Sequence, residues 1–115
     1  MGETSMSLMQ GTVDLLILRA LQADSPAHGY TVSRFVHSRT DGVLALEDAA
    51  LYQALHRLEA RGLIEAEWGL SENSRRAKFY RLTAAGHKQL RAATSAWRAY
   101  AAAIFNVLDG REGSR

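Results

Sequence analysis

The last quarter of the chain carries a regular apolar stripe that one chain cannot cover by itself. The stripe consists of six residues at spacings of 3, 4, 3, 4 and 3: Leu90, Ala93, Trp97, Tyr100, Ile104 and Val107. This a/d heptad spacing predicts a long amphipathic helix over about 84–108, with Thr83 as its N-cap. Since a single amphipathic helix cannot bury such a stripe, the sequence predicts a homodimer held together by this helix.

Three short helices and a hairpin are predicted ahead of this long helix. In the first helix, which starts at Val13 and is stopped by Asp24, apolar residues recur at intervals of three and four. The elements predicted next are a helix over 28–38, a short extended segment over 43–46, a helix over 48–61 and strands over 64–68 and 78–82. This order is typical of a winged helix-turn-helix. The predicted fold class is therefore mainly α with a small two-stranded β hairpin.

Composition limits the chemistry that the chain can support. Its 115 residues are one domain in size, divided into a winged helix-turn-helix over 1–82, a dimerisation helix over 83–108 and a flexible tail over 109–115. The absence of cysteine excludes disulfides and sulfur-ligated zinc, and the four histidines lack metal-binding spacing. Without a phosphate-binding glycine loop or a nucleophile elbow, neither an enzyme nor a cofactor is expected. The first ten residues lack signal-peptide features and no apolar run could span a bilayer, so a cytoplasmic protein without membrane contact is expected.

Charge is distributed unevenly along the chain. Residues 1–55 carry three Lys/Arg against six Asp/Glu, whereas residues 56–115 carry eleven against six, although the net charge is only +2. A basic half is found in proteins that bind polyanions, and it is also found on ordinary solvated surfaces. Charge alone leaves both interpretations open.

Several separated motifs, in order along the chain, carry a family resemblance. The stretches are GTVDLLILRAL, HGY, LYQALHRLEARGLIEAEWG and RRAKFYRLTAAGHKQL, and together they cover about Met9 to Leu108. They resemble the PadR family of bacterial transcriptional regulators, and the single helix after the hairpin resembles the small class of that family. The resemblance implies a homodimer that binds double-stranded operator DNA, usually as a repressor released by a small molecule.

The resemblance also assigns a recognition helix around Leu51–Arg57 and a wing loop with Arg75, Arg76 and Lys78. The helix buries Leu51, Leu55 and Leu58, so its other side is available to DNA bases and phosphates. Many family members have proline after the Leu-Tyr pair, where this chain has Gln53. Glutamine can pair with adenine edges, so this difference leaves base preference open. The predicted DNA-binding residues are Ala49, Tyr52, Gln53, His56, Arg57, Arg75, Arg76 and Lys78.

The heptad stripe has two interpretations that the sequence does not separate. Its six residues are the predicted dimer interface, in which Trp97 packs against its copy. Small residues beside Trp97, namely Ala93 and Ala96, can also leave a slot at the two-fold axis. Some small PadR regulators bind planar aromatic compounds between such tryptophans, so the resemblance implies a planar aromatic effector.

Two other functions compete with the repressor. A winged helix can serve as a protein-association module without a specific DNA target, because fold does not fix function. Tyr52 is the apolar candidate on the outward side of the recognition helix for such a role. The second alternative is a dimer that binds drugs and has only weak DNA affinity, which differs from the repressor in the strength of DNA binding rather than in kind.

Overall fold

The computed structural model describes residues 11–110 and, ahead of them, the backbone of a two-residue strand. Its helices and strands are β1 (Met6–Ser7), α1 (Val13–Ala23), α2 (Gly29–Arg39), β2 (Leu44–Ala45), α3 (Asp48–Ala60), β3 (Ile64–Leu70), β4 (Arg76–Leu82) and α4 (Ala84–Asp109). The predicted order of three helices, a hairpin and a long helix is confirmed, and so is the fold class. Most of the tail that was predicted to be flexible, residues 111–115, lies outside the described residues.

The core is built around α1, which packs against α2, α3, β4 and α4. Its buried side chains Ile17, Leu18 and Leu21 recur at helical spacing and are at most 1% exposed. They belong to one apolar cluster with Leu51, Leu55 and Leu58 of α3. Ile64 and Leu82, at the base of the hairpin, complete the cluster, so the core fixes the positions of α3 and the hairpin.

Of the two shortest strands, β2 was predicted and β1 was not. The extended segment over 43–46 contains β2, which pairs in parallel with β1 in the register Met6↔Leu44 and Ser7↔Ala45. No strand was predicted ahead of Gly11. A two-residue strand has no measurable apolar period, so only its pairing partner reveals it.

The hairpin is longer than predicted, and the longer second strand includes Arg76. Strands β3 and β4 each have seven residues, and the connection between them is only residues 71–75. Arg76 and Lys78 therefore both lie on β4. The strand predicted over 78–82 already contained Lys78, so it is the wing loop implied by the resemblance that was wrong for these two residues; of the three cations, Arg75 alone lies in the turn. The polar, glycine-containing sequence suggested a loop, yet Gly69 is held in the ladder opposite Ala77.

The first turn of α4 is fixed to the end of α3. Thr83 caps the helix as predicted, since its hydroxyl accepts a hydrogen bond from the Gly86 amide at 3.0 Å and donates one to the Gly62 carbonyl at 2.7 Å. Leu90, one turn further along, is 3% exposed and belongs to the core of its own protomer. Its predicted place in a dimer interface is therefore corrected, because side chains of the same chain already cover it.

Candidate nucleic-acid interface

The outward side of α3 is a narrow strip of small and polar side chains. The helix buries Leu51, Ala54, Leu55 and Leu58. At 100° per residue, the side opposite this apolar stripe carries Ala49, Gln53 and His56, all of which are exposed. The strip therefore offers an amide and an imidazole to a partner, beside a residue small enough to allow close approach.

Arg57 lies at one edge of this strip rather than within it. Its guanidinium forms an ion pair with Asp14 of α1, and the same carboxylate lies 4.0 Å from the guanidinium of Arg61. Arg57 was predicted to be on the outward side because that prediction considered only the residues of α3. The partner on α1 could not be found by spacing, since it lies 43 positions earlier in the chain.

The opposite edge of the strip is tied to the hairpin. Lys78 Nζ on β4 lies 3.3 Å from Glu59 Oε1 on α3 and forms a hydrogen-bonded ion pair. Tyr52 is half exposed and lies against Gly29, where an added Cβ would come within 2.8 Å of the tyrosine hydroxyl oxygen. Burial raises the pKa of the nearby Tyr80 hydroxyl, against the lowering effect of Lys78. The pair of Glu59 and Lys78 therefore joins the hairpin to α3, and Tyr52 joins α3 to the start of α2.

One face of the hairpin carries cations over an aromatic ring. The register pairs Trp68 with Lys78 and Leu70 with Arg76, so these four residues share a face. The guanidinium carbon of Arg76 lies 4.4 Å from the centroid of the Trp68 ring, and Lys78 Nζ lies 6.0 Å from it. Within the described part of the chain, neither Arg76 nor Arg75 forms an ion pair. Both cations remain available to an anionic partner.

A groove of about 570 Å³ runs between this hairpin face and the start of α2. It is lined by residues that include His28, Tyr30, Tyr52, Trp68, Arg76 and Lys78. Tyr30 was not among the predicted site residues; it is 62% exposed, and its hydroxyl accepts a hydrogen bond from Arg34 at 3.2 Å. Tyr30 and Arg34 thus join the candidate surface, and the HGY motif is the signal that could have indicated Tyr30.

The combination of a helix-turn-helix, an outward polar strip and a cationic hairpin matches a known family. The Transcriptional regulator PadR-like family model matches residues 17–92 of the 115. The chain belongs to this family. Members of the PadR-like family are DNA-binding transcriptional regulators and not enzymes.

Solved structures show the same likeness. A transcriptional regulator from Clostridium thermocellum is 30% identical with a TM-score of 0.76, over 84% of this chain and 90% of its own. A PadR family transcription regulator from Clostridium difficile is 28% identical with a TM-score of 0.73, over 85% of this chain and 99% of its own. An uncharacterized protein of Lysinibacillus sphaericus is 29% identical over 105 residues, which are 91% of this chain and 95% of that protein.

The second half of α4 gives this PadR-like protein a large exposed apolar surface. The side chains there that are at least 40% exposed are Trp97, Tyr100, Ile104, Phe105, Val107 and Leu108. The rings of Trp97 and Tyr100 lie side by side, with centroids 5.7 Å apart. Phe105 and Leu108 were missed because the strict heptad spacing excludes them. The 3.6-residue period of a helix includes Leu108 on the Trp97 side and sets Phe105 at its margin.

The described residues of this PadR-like chain contain neither a membrane-spanning helix nor a cluster of metal-binding side chains. Among residues 11–110, no helix combines the length and apolarity needed to cross a membrane. Across the same stretch, no three His, Asp or Glu side chains come together as a metal site.

Proposed function

We propose that this PadR-like regulator binds operator DNA as a homodimer and acts as a repressor that a planar aromatic small molecule releases. The observation that carries the DNA part is the position of the cationic hairpin beside the outward strip of α3, where Lys78 on the hairpin pairs with Glu59 on the helix. A duplex that receives α3 in its major groove then meets the hairpin at the neighbouring phosphates.

Each part of this surface has its own role in the proposal. Gln53 and His56 contact base edges, and the amide of Gln53 suits the two hydrogen-bonding groups of adenine. Arg75, Arg76 and the start of α2 contact phosphates, which supply affinity without sequence preference. Arg57 reaches a phosphate only by leaving Asp14, so it contributes less than an unpaired arginine.

A second copy of this chain is the proposed occupant of the exposed apolar side of α4. The side that buries Gly86 and Leu90 continues along the helix to Trp97, Ile104 and Leu108. The first half of that side is covered by its own protomer, whereas the second half extends past the core. Pairing with the same helix of another copy buries it and sets two α3 helices to read successive major grooves, about 34 Å apart.

The proposed effector site is the middle of this helix pair. Trp97 supplies a flat ring, and Ala93 and Ala96 leave space beside it. A planar molecule bound there changes the angle between the two DNA-reading units. It releases DNA only if it binds the two geometries with unequal affinity.

Titration with flat aromatic cations tests the effector site. Stacking on Trp97 is expected to quench tryptophan fluorescence and to raise the dissociation constant for DNA in parallel. Trp97→Leu keeps Trp68 as an internal reference and is expected to remove most of the quenching. A set of such compounds that leaves both signals unchanged contradicts the effector proposal while leaving the DNA proposal intact.

Salt dependence tests the contact between the hairpin and DNA. Arg75→Ala and Arg76→Ala are each expected to weaken binding to every duplex, because phosphate contacts are independent of sequence. Each is expected to lower the slope of log K against log salt by about one per lost contact. Lys78→Ala is expected to lower it less, since Glu59 already compensates that charge. Unchanged slopes for both arginine variants would remove the hairpin from the interface.

The protein-association alternative is favoured by one observation. Trp68 and Leu70 on the hairpin are 56% and 70% exposed, and apolar exposure of this kind is common at protein interfaces. Binding to a mixed-sequence duplex separates the alternatives. Affinity that falls steeply with salt supports DNA binding, whereas no measurable binding at low salt supports a protein partner.

A further inference from the structure

The exposed tryptophan of the hairpin has no role in the function proposed so far. We infer that Trp68 is a positioning residue, whose indole face holds the guanidinium of Arg76 in place for a DNA phosphate. The inference rests on the proposed function, because it requires the hairpin to contact DNA. It adds a residue that none of the DNA-contact assignments includes.

The geometry of the hairpin supports this assignment. Strand register places Trp68 and Arg76 on the same face in diagonal positions, within reach of a long side chain. The guanidinium carbon lies 4.4 Å from the ring centroid, well inside the range of a cation–π contact. Trp68 is nevertheless 56% exposed, so the core does not account for an aromatic residue at this position.

The neighbouring cations show what is particular to Arg76. Lys78 is held by the carboxylate of Glu59, which also compensates its charge. Arg75, in the turn, has neither a carboxylate partner nor an aromatic ring near its guanidinium within the described residues. Arg76 alone of the three combines an uncompensated charge with a close aromatic support.

The energetic consequence follows from side-chain entropy. A free arginine on a surface loses rotamer freedom when it binds a phosphate, and this loss reduces the affinity gained. The indole restricts Arg76 before DNA arrives, and a cation–π contact leaves the guanidinium N–H groups free to donate to a phosphate. Arg76 therefore binds a phosphate with a smaller loss of freedom than Arg75 does.

A double-mutant cycle tests the inference, with a fluorescein-labelled mixed-sequence duplex as the probe at low salt. An exposed cation–π contact is worth a factor of about 2 to 5. Because the proposed dimer has two hairpins, Trp68→Leu is expected to raise the dissociation constant by about 4- to 25-fold. Trp68→Phe, which keeps a ring, is expected to recover part of the loss. Arg76→Lys keeps the charge but loses the planar guanidinium. Its dissociation constant is expected to be nearer to that of Arg76→Ala than to that of the wild type.

Coupling between the substitutions decides the result. Trp68→Leu is expected to add nothing to Arg76→Ala and to have its full effect in combination with Arg75→Ala, which is the matched control. If Trp68→Leu raises the dissociation constant by the same factor in both backgrounds, the inference is overturned, since Trp68 then contacts DNA directly or only maintains the fold. A Trp68→Leu protein with wild-type affinity overturns it as well.

Failure of the proposed function has a different outcome. If Arg75→Ala and Arg76→Ala both leave affinity and salt slope unchanged, the hairpin does not contact DNA, and the proposed role of the hairpin and the inference fail together. Circular dichroism and melting temperature are measured for each variant, and a variant that does not fold is replaced by Trp68→Met.

Discussion

Replacing Ile104 by glutamate is expected to convert the proposed dimer to a monomer. Ile104 lies near the middle of the exposed apolar side of α4 and is 41% exposed in the single chain. The proposed dimer would lose apolar burial at two symmetric sites, about 2 kcal/mol each, which corresponds to roughly a thousandfold weaker association. Burying two carboxylates adds to that loss. Light scattering over a range of protein concentrations measures the change.

Asn106→Glu is the matched control for this substitution. Asn106 is exposed and lies about 200° around α4 from Ile104, so a charge there stays in water. This variant is expected to remain dimeric. A dimeric Ile104→Glu protein, or an Asn106→Glu protein that dissociates, would show that another surface holds the two copies together.

Replacing Gly86 by alanine is expected to destabilise the fold, against the usual preference of helices for alanine. Intrinsic propensity alone predicts a gain of about 1 kcal/mol. An added Cβ at Gly86, however, overlaps the backbone carbonyl oxygen of Leu63, which cannot move aside as a side chain can. That carbonyl also accepts a hydrogen bond from the Thr83 amide at 3.1 Å. Moving the two backbone segments apart to make room for the Cβ would break this hydrogen bond, which anchors the start of α4. Overpacking of this kind costs about 1–3 kcal/mol, or more where backbone must shift.

Thermal unfolding at a fixed protomer concentration measures this effect, and Ala85→Gly serves as its comparison. Ala85 is exposed, so its replacement costs only the propensity difference of about 1 kcal/mol. Gly86→Ala is expected to melt below the wild-type temperature, as Ala85→Gly is, although the two substitutions change helix propensity in opposite directions. A Gly86→Ala protein that melts at or above the wild-type temperature contradicts the close approach of α4 to the end of α3.

The main elements of the fold could be predicted because their signals are local. The stripes of α1, α3 and α4 have helical period, and Thr83 and Gly62 mark helix ends by their own chemistry. The limits of the hairpin could not be predicted, because Gly69 suggests a loop when it is read without its cross-strand neighbours. β1 depends entirely on its pairing with β2, which sequence spacing does not encode.

The candidate site was predictable in outline but not in its electrostatics. The spacing of buried leucines in α3 was enough to place Gln53 and His56 on the outward side. The pairing of Arg57 with Asp14 and of Lys78 with Glu59 joins elements that are distant in sequence, so no local pattern indicates it. The cation–π contact between Arg76 and Trp68 could be found only from the strand register.

Recovery of bound fragments from sheared genomic DNA tests the central claim most directly. The purified protein is incubated with the fragments at moderate salt, and the bound fraction is sequenced. Sequence-specific binding by a homodimer predicts a few strongly enriched sites that share a palindrome with half-sites about one helical turn apart. Uniform recovery that disappears with added salt would mean phosphate contact alone, and would contradict the account of this protein as a sequence-specific regulator.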